Sequence, residues 1–315
     1  MTNFTYMKKN ISILVIFLIA GLSTKMSAQQ DPQYTQYMYN QISFNPAYTG
    51  SKEALSGLLL YRSQWLGLDG APDTFTFSVH SPVDMRKKIG LGLNIIRDEI
   101  GPVDETTIDA TFSYAINTGA MSKLAFGLKA GGHLLNVNFQ ELNEQNPGQD
   151  VLLQDNIDNN FSPNVGLGLF HYGERHYVGL SVPNLLETEH FDDVNNAVAE
   201  ERMTYYLTGG YVFDLGINTK FKPTVLAKAI DGAPLQLDGS ANFMFYDKFT
   251  LGAAYRWDAA VSALVGFRFA DQWTVGFAYD YDTTDFEATN DGSIEIFLQF
   301  DLFRAYDMLV SPRFF

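Results

Sequence analysis

The five histidines are the first residues to consider for chemistry, because imidazole binds metal ions and transfers protons near neutral pH. They lie in different predicted strands or loops, and no HExxH or other paired-ligand spacing occurs. His171 and His176 flank a predicted turn, across which their rings can meet. We interpret these two as a pair whose hydrogen bonds are satisfied within the protein, or as a pair at an interface, rather than as a metal site.

Nucleophilic catalysis has no support in the sequence. There is no GxSxG motif, no Ser/His/Asp arrangement beyond coincidence, and no cysteine. The GLGL strings at 90–93 and 166–169 are not dinucleotide-binding loops, because no helix follows either of them. They fit strands that place small residues on one face. The sequence therefore predicts a protein that is not an enzyme and has no cofactor.

Carboxylates are concentrated in three long predicted connections, and clustered carboxylates are ligands for hard cations. One such cluster comprises Glu187, Glu189, Asp192 and Asp193. Simple solvation explains these charges, and no stretch has the ligand spacing of an EF-hand loop. A divalent cation such as calcium at these acidic outer loops is the alternative hypothesis.

The elements that position these residues are strands, because the dominant hydrophobic period from residue 56 onward is two. Near the end of the chain, Ile294, Ile296 and Leu298 alternate with Glu295 and Gln299. Runs of about ten residues with this alternation and aromatic ends are typical of strands that cross a membrane. Fourteen runs begin near residues 56, 72, 89, 105, 122, 162, 175, 203, 221, 235, 249, 260, 272 and 293. The predicted fold is all-β, a transmembrane antiparallel β-barrel of about fourteen strands spanning 56–302.

The connections between predicted strands alternate in length. The long ones, 138–161, 183–202 and 282–292, all follow odd-numbered strands, and the connections after even-numbered strands are short. Barrels of the outer membrane have short periplasmic turns and longer outer loops. We therefore expect both termini to face the periplasm of a Gram-negative bacterium.

Residues 1–28 have the order of a secretory signal peptide: two lysines, an apolar run from 11 to 22, and small residues at the cleavage site. The apolar run is too short to span a bilayer as a helix. A formal net charge of -15 argues against a nucleic-acid partner. Since cysteine is absent, the exported chain has no disulfide framework.

Residues 29–55 do not alternate, and 31–50 combine four tyrosines and two prolines with a single charge. Such a segment needs a surface, and a fourteen-stranded barrel has a lumen too wide for small side chains to fill. We predict an N-terminal plug that packs against the lumen wall. The predicted contacts are Tyr34, Tyr37, Tyr39, Phe44, Asn45, Pro46, Ala47 and Tyr48 on the segment, with Tyr61, Arg62, Gln64 and Trp65 on the wall.

Residues 303–315 follow the last predicted strand and form a predicted periplasmic tail. Its candidate docking residues are Arg304, Tyr306, Arg313, Phe314 and Phe315. The alternative is an ordered end that only seals the last strand.

The sequence DPQYTQYMYNQISFNPAYTGS, followed by YRSQWLGLDGAPDTFTFSVHSPV, closely resembles the PorP/SprF family of type IX secretion system outer-membrane proteins. The resemblance continues through IGLGLNIIRDEIGPVDETTIDATFSYAI to the terminal SPRFF. Asn45-Pro46-Ala47 also resembles the signature in the N-terminal hatch of FadL-type transporters, whose barrels have fourteen strands.

The resemblance implies a non-enzymatic barrel that supports export and surface attachment of large cargo, such as gliding adhesins with type B C-terminal sorting domains. It implies contact with outer-membrane lipid, cargo and periplasmic secretion-ring components. It leaves open whether the chain belongs to the core translocon or serves one cargo. The alternative function is a FadL-like or porin-like channel for small hydrophobic or polar solutes.

Overall fold

A computed structural model describes residues 32–138, 156–186, 189–190, 199–200, 202–230 and 233–302. The fold is a closed antiparallel barrel of 14 strands, as predicted. The predicted signal peptide, 1–28, and the predicted tail, 303–315, lie outside the described residues. No helix in the described part of the chain is long and apolar enough to cross a membrane.

The first half of the barrel consists of β1 (Leu55–Ser63), β2 (Asp73–Pro82), β3 (Ile89–Ile100), β4 (Val103–Asn117), β5 (Ser122–Val137), β6 (Ile157–Gly173) and β7 (His176–Val182). A separate two-stranded ribbon follows, formed by β8 (Glu189–His190) and β9 (Ala199–Glu200).

The second half consists of β10 (Thr204–Tyr211), β11 (Phe213–Asp214), β12 (Thr219–Ile230), β13 (Gln236–Phe245), β14 (Phe249–Arg256), β15 (Ala260–Ala270), β16 (Trp273–Asp282) and β17 (Ser293–Leu302). Both β10 and β11 pair with β12, so together they occupy one position in the barrel. The described part of the chain also has three 3₁₀ turns, Gln41–Ser43, Pro46–Tyr48 and Asp285–Thr289.

Hydrogen bonding closes the barrel between its first and last strands. Leu55 opposes Leu302 and Ser63 opposes Ile294, so β1 and β17 are paired along their whole length. On the far side, β10 joins β7 to β12. Most predicted strand starts lie within two residues of the observed ones, but β6 begins at Ile157 rather than near 162.

The two ends of the barrel differ as predicted. The long connections 64–72, 138–156, 183–203 and 283–292 all lie at one end, which we call the loop end. The opposite end, the turn end, carries only short connections, and there β1 begins at Leu55 and β17 ends at Leu302. The connections 101–102 and 257–259 at the loop end are short as well. In the turn 83–88, Asp84 accepts hydrogen bonds from the backbone N–H groups of Arg86, Lys88 and Ile89.

Each strand separates an apolar outer face from a polar inner face. In β2, Thr74, Thr76 and Ser78 are buried toward the lumen, whereas Phe75 points outward and is exposed. Outward aromatic rings also stack between neighbouring strands near the turn end, as Phe221 does with Phe213 and Phe243. This pattern is typical of a barrel whose outside faces lipid and whose inside is polar.

Candidate functional site: the N-terminal segment in the lumen

Residues 32–53, the lumenal segment, lie inside the barrel. Every residue from Tyr34 to Ser51 is buried except the half-buried Tyr39. The segment forms no strand and closes its own backbone turns instead, with Tyr39 N–H donating to Gln36 O and Asn45 N–H to Gln41 O. Because its turns satisfy much of the backbone locally, the side chains remain available for the wall.

The lumenal segment runs from one end of the barrel to the other. At the loop end, Gln33 donates to Gln236, the first residue of β13. At the turn end, Lys52 forms an ion pair of 3.2 Å with Asp301 in the last strand.

Near the loop end, three charged side chains on adjacent strands hold the segment at Thr35 and Gln36. Arg62 on β1 donates to Asp280 on β16 at 2.7 Å and to Glu295 on β17 at 3.3 Å. Glu295 also accepts the backbone N–H groups of Thr35 and Gln36, at 2.9 and 2.8 Å. We call Arg62, Asp280 and Glu295 the charged clamp.

The hydroxyl of Thr35 completes the clamp. It donates to Asp280 at 2.6 Å and accepts from Arg62 at 2.9 Å. The side chains of Arg62, Asp280 and Glu295 are 2%, 3% and 0% exposed, so all three charges are removed from bulk water. Charges buried to this degree need partners on every side, and the lumenal segment supplies several of them.

The aromatic residues of the segment contact different parts of the wall. The Tyr34 hydroxyl bonds Thr76 at 2.8 Å, and the Tyr37 hydroxyl bonds Thr224 at 2.7 Å. Tyr39 packs against Phe297 with ring centroids 4.5 Å apart, and its ring lies 5.6 Å from the Lys222 amine. Phe44 stacks on Tyr206 at 5.2 Å. Each ring thus contributes apolar burial, and buried hydroxyls meet polar groups of the lumen.

Asn45-Pro46-Ala47 forms a capped 3₁₀ turn. The Asn45 side chain accepts from Ala47 N–H at 3.0 Å and donates to Leu169 O on β6 at 3.1 Å. Proline suits the first position of the turn because its missing N–H needs no partner there.

Glycines of the wall make room for this part of the segment. A Cβ atom on Gly127 of β5 would lie 2.0 Å from Ala47 N, and one on Gly168 of β6 would lie 2.2 Å from Asn45 Oδ1. One on Gly90 of β3 would lie 2.4 Å from Thr49 O. We call Gly90, Gly127 and Gly168 the glycine seat.

Neutral hydrogen bonds surround the glycine seat. Thr49 Oγ1 bonds Thr111 Oγ1 at 2.9 Å, and Ser113 donates to Thr49 O at 2.6 Å. Gly50 N–H donates to His80 Nδ1 at 3.0 Å. Residues 45–50 are therefore held by shape and neutral contacts, in contrast to the charged clamp, and the ion pair of Lys52 with Asp301 lies beyond them at the turn end.

Among the wall residues named from the sequence, Arg62 contacts Thr35 of the lumenal segment, and it also donates to Gln64 at 3.1 Å. Trp65 lies at the start of the 64–72 connection, where its N–H donates to Ser293. The prediction for Tyr61 was wrong: its side chain is 40% exposed on the outer face and donates to Asp73. The physical reason is the strand period of two, which places neighbours of Arg62 on the opposite face.

Sequence reasoning missed the clamp partners and the glycine seat. The alternation in β17 puts Glu295 on the polar face of its strand, and the GLGL strings put small residues on one face, but neither pattern identifies a partner. The available signal was a charge in an apolar setting: Glu295 stands between two isoleucines of β17.

The remaining predicted residues divide into two groups. Glu187, Asp192, Asp193 and the five tail residues lie outside the described residues, and of Glu189 only the strand assignment is described. His171 and His176 do meet, with ring centroids 5.2 Å apart. Within the described ranges, no group of three or more His, Asp or Glu side chains is placed to hold a metal ion.

A family model described as type IX secretion system membrane protein PorP/SprF matches residues 26–300. The chain belongs to the PorP/SprF family. This PorP/SprF protein is therefore an outer-membrane barrel and a membrane component of type IX secretion. No curated protein sequence matches it.

The chain is similar to solved barrels at low sequence identity. The CymD monoaromatic hydrocarbon channel is similar with a TM-score of 0.50 and 11% identity, covering 88% of this chain and 94% of that one. The toluene transporter TbuX of Ralstonia pickettii gives 0.49 and 11%, covering 86% and 94%. A FadL homologue of Pseudomonas aeruginosa gives 0.47 and 11%, covering 87% and 95%.

Proposed function

We propose that this PorP/SprF protein is a non-enzymatic partner for large exported proteins, and that it supports their export and attachment at the cell surface. Adhesins with type B C-terminal sorting domains are the proposed cargo. The observation that carries the proposal is the family match over 26–300, across nearly the whole barrel.

The two unlike ends of the barrel support a proposed orientation. We place the turn end and both termini in the periplasm and the loop end outside, because outer-membrane barrels have short periplasmic turns. Secretion-ring components would then meet the turn end and the 303–315 tail. Cargo would meet the acidic loops, where calcium is a further proposed ligand.

We propose that the lumenal segment is a plug. It crosses the lumen from Gln33 near β13 to Lys52 near β17, and its buried rings contact strands on opposite sides of the barrel. A segment in this position leaves little room for free diffusion through the lumen.

A pull-down of the tagged protein from outer membranes tests the proposed function. We expect a large surface protein or periplasmic ring components to be recovered with it. Recovery of neither, together with uptake of small solutes by cells expressing the protein, would favour a channel instead.

Deletion of 31–50 tests the plug. We expect higher single-channel conductance in planar bilayers and altered cargo display on cells. If both measurements stay at the wild-type level while the barrel remains folded, the segment is not a plug.

A further inference from the structure

We infer that the lumenal segment opens in two parts: residues 33–38 are released from the charged clamp while residues 45–50 stay in the glycine seat. The lumen would then open toward the loop end and remain closed at the turn end. This inference deepens the proposed plug function and rests on it.

The first step of the argument concerns what holds the loop-side part. Glu295 accepts two successive backbone N–H groups, those of Thr35 and Gln36, and Arg62 holds Glu295 and Asp280 in place. This attachment depends on charge. Removing one charge of the clamp leaves the other two buried without a full set of partners. Loss of a single charge can therefore release the segment.

The second step concerns the turn-side part, which has no charged attachment of this kind between 45 and 50 among the described contacts. Its backbone fits the space left by missing side chains, since Cβ atoms on Gly127 and Gly90 would lie 2.0 and 2.4 Å from backbone atoms of Ala47 and Thr49. Such a fit is insensitive to charge. It is lost only when the wall or the segment changes shape.

The third step concerns position. Arg62 is next to the last residue of β1, and Glu295 is two residues into β17, so the clamp lies close to the loop end. His80 and Asp301, which contact Gly50 and Lys52, lie close to the turn end. Release at the clamp therefore exposes the loop side of the lumen first.

Single-cysteine reporters test the inference, because the chain has no cysteine of its own. Gln36→Cys reports on the loop-side part, since the clamp binds the backbone N–H of Gln36 and not its side chain. Thr49→Cys reports on the turn-side part. Both wild-type side chains are nearly fully buried, at 1% and 2% exposure. The measurement is the rate at which a small charged thiol reagent labels the full-length folded protein.

With Glu295→Gln, we expect labelling of the cysteine at 36 to become at least tenfold faster, and labelling at 49 to change less than twofold. Asp280→Asn provides a second variant of similar shape and should give the same pattern. The matched control is Asp109→Asn, which breaks another buried ion pair, with Lys129 at 2.6 Å. That pair has no hydrogen bond to 32–53 in the described part of the chain, so neither rate should change.

Equal acceleration at both positions would show that the segment moves as one body and would overturn the inference. Unchanged labelling at both positions in folded Glu295→Gln and Asp280→Asn proteins would also overturn it. Folding is checked by the mobility difference between heated and unheated barrels in gels. The labelling needs neither cargo nor secretion partners, so its failure is distinguishable from failure of the proposed function.

Discussion

The glycine seat gives a prediction whose size can be worked out from the structure. In Gly127→Ala, the new Cβ would lie 2.0 Å from Ala47 N and 2.4 Å from Ala47 Cα, against about 3.4 Å for ordinary contact. The segment or strand β5 must therefore move by about 1.4 Å, because the clashing atoms are backbone and cannot rotate away. Overpacking of this kind costs about 1–3 kcal/mol.

The assay is equilibrium unfolding in urea of the protein in detergent micelles. We expect the free energy of unfolding to fall by about 1–3 kcal/mol in Gly127→Ala. The matched control is Gly239→Ala in β13, where a Cβ meets no atom within 4 Å. Its free energy of unfolding should stay the same or rise slightly, because alanine restricts the unfolded chain more than glycine does.

A double-mutant cycle with deletion of 31–50 separates the segment from the strand. If the loss arises from the contact with Ala47, Gly127→Ala should cost no more than Gly239→Ala once the segment is absent. An equal loss in the full-length and deleted proteins would refute the reasoning, because the cost would then lie in β5 itself. A full-length Gly127→Ala protein as stable as the control would refute it directly.

Three further outcomes are expected. Arg62→Gln should lower the free energy of unfolding by about 3–5 kcal/mol, because two buried carboxylates lose their cation. A decrease of less than about 1 kcal/mol, which is typical of an exposed ion pair, would contradict this expectation. Thr49→Cys with Thr111→Cys should form a disulfide on mild oxidation, since their hydroxyls are 2.9 Å apart, and the crosslink is detected by mass spectrometry after digestion. Backbone hydrogen bonds, of which the one from Ile89 N–H contributes most, hold the pKa of the Asp84 carboxyl below its usual value of 3.8. The charged Asp84 therefore stabilises the 83–88 turn above about pH 4, and this stabilisation is lost as the pH falls below that range. Proteolysis of the turn in wild type and Asp84→Asn should therefore differ at neutral pH and converge in acid.

Two of these predictions have controls in the same barrel. Arg97→Gln removes an exposed arginine that pairs with Asp104, and its effect on unfolding should stay below about 1 kcal/mol. Thr49→Cys with Thr224→Cys should not crosslink, because Thr224 bonds Tyr37 on another part of the wall. A crosslink in this control would mean that residue 49 is not held against β4.

The strands were predictable because the residues of each strand alternate between apolar side chains that face lipid and polar side chains that face the lumen. In β17, Ile296 faces outward while Glu295 faces inward, and that alternation is readable without any knowledge of neighbours. The position of the long connections at one end was predictable for a similar reason. Successive strands cross the barrel in opposite directions, so every second connection lies at the same end. The start of β6 was placed too late because 157–161 carry few apolar residues.

The partners in the lumen were not predictable in this way. Tyr61 was predicted on the lumen wall together with Arg62, yet the strand period puts it on the lipid side. The hypothesis that 31–50 needs a wall came from its aromatic content alone. It could not name Asp280 and Glu295, which lie more than 240 residues away from Thr35 and Gln36.

The sequence by itself therefore determined the barrel, its strand number, its unlike ends and its family, because these depend on local alternation and on the order of segments. Only the tertiary structure decided how the lumenal segment is held. Closing the barrel brings β16, β17 and β1 side by side, which joins Arg62, Asp280 and Glu295 into one clamp. The same closure places Gly127 and Gly168 under Asn45 and Ala47, and no local pattern encodes a contact between residues so far apart in the chain.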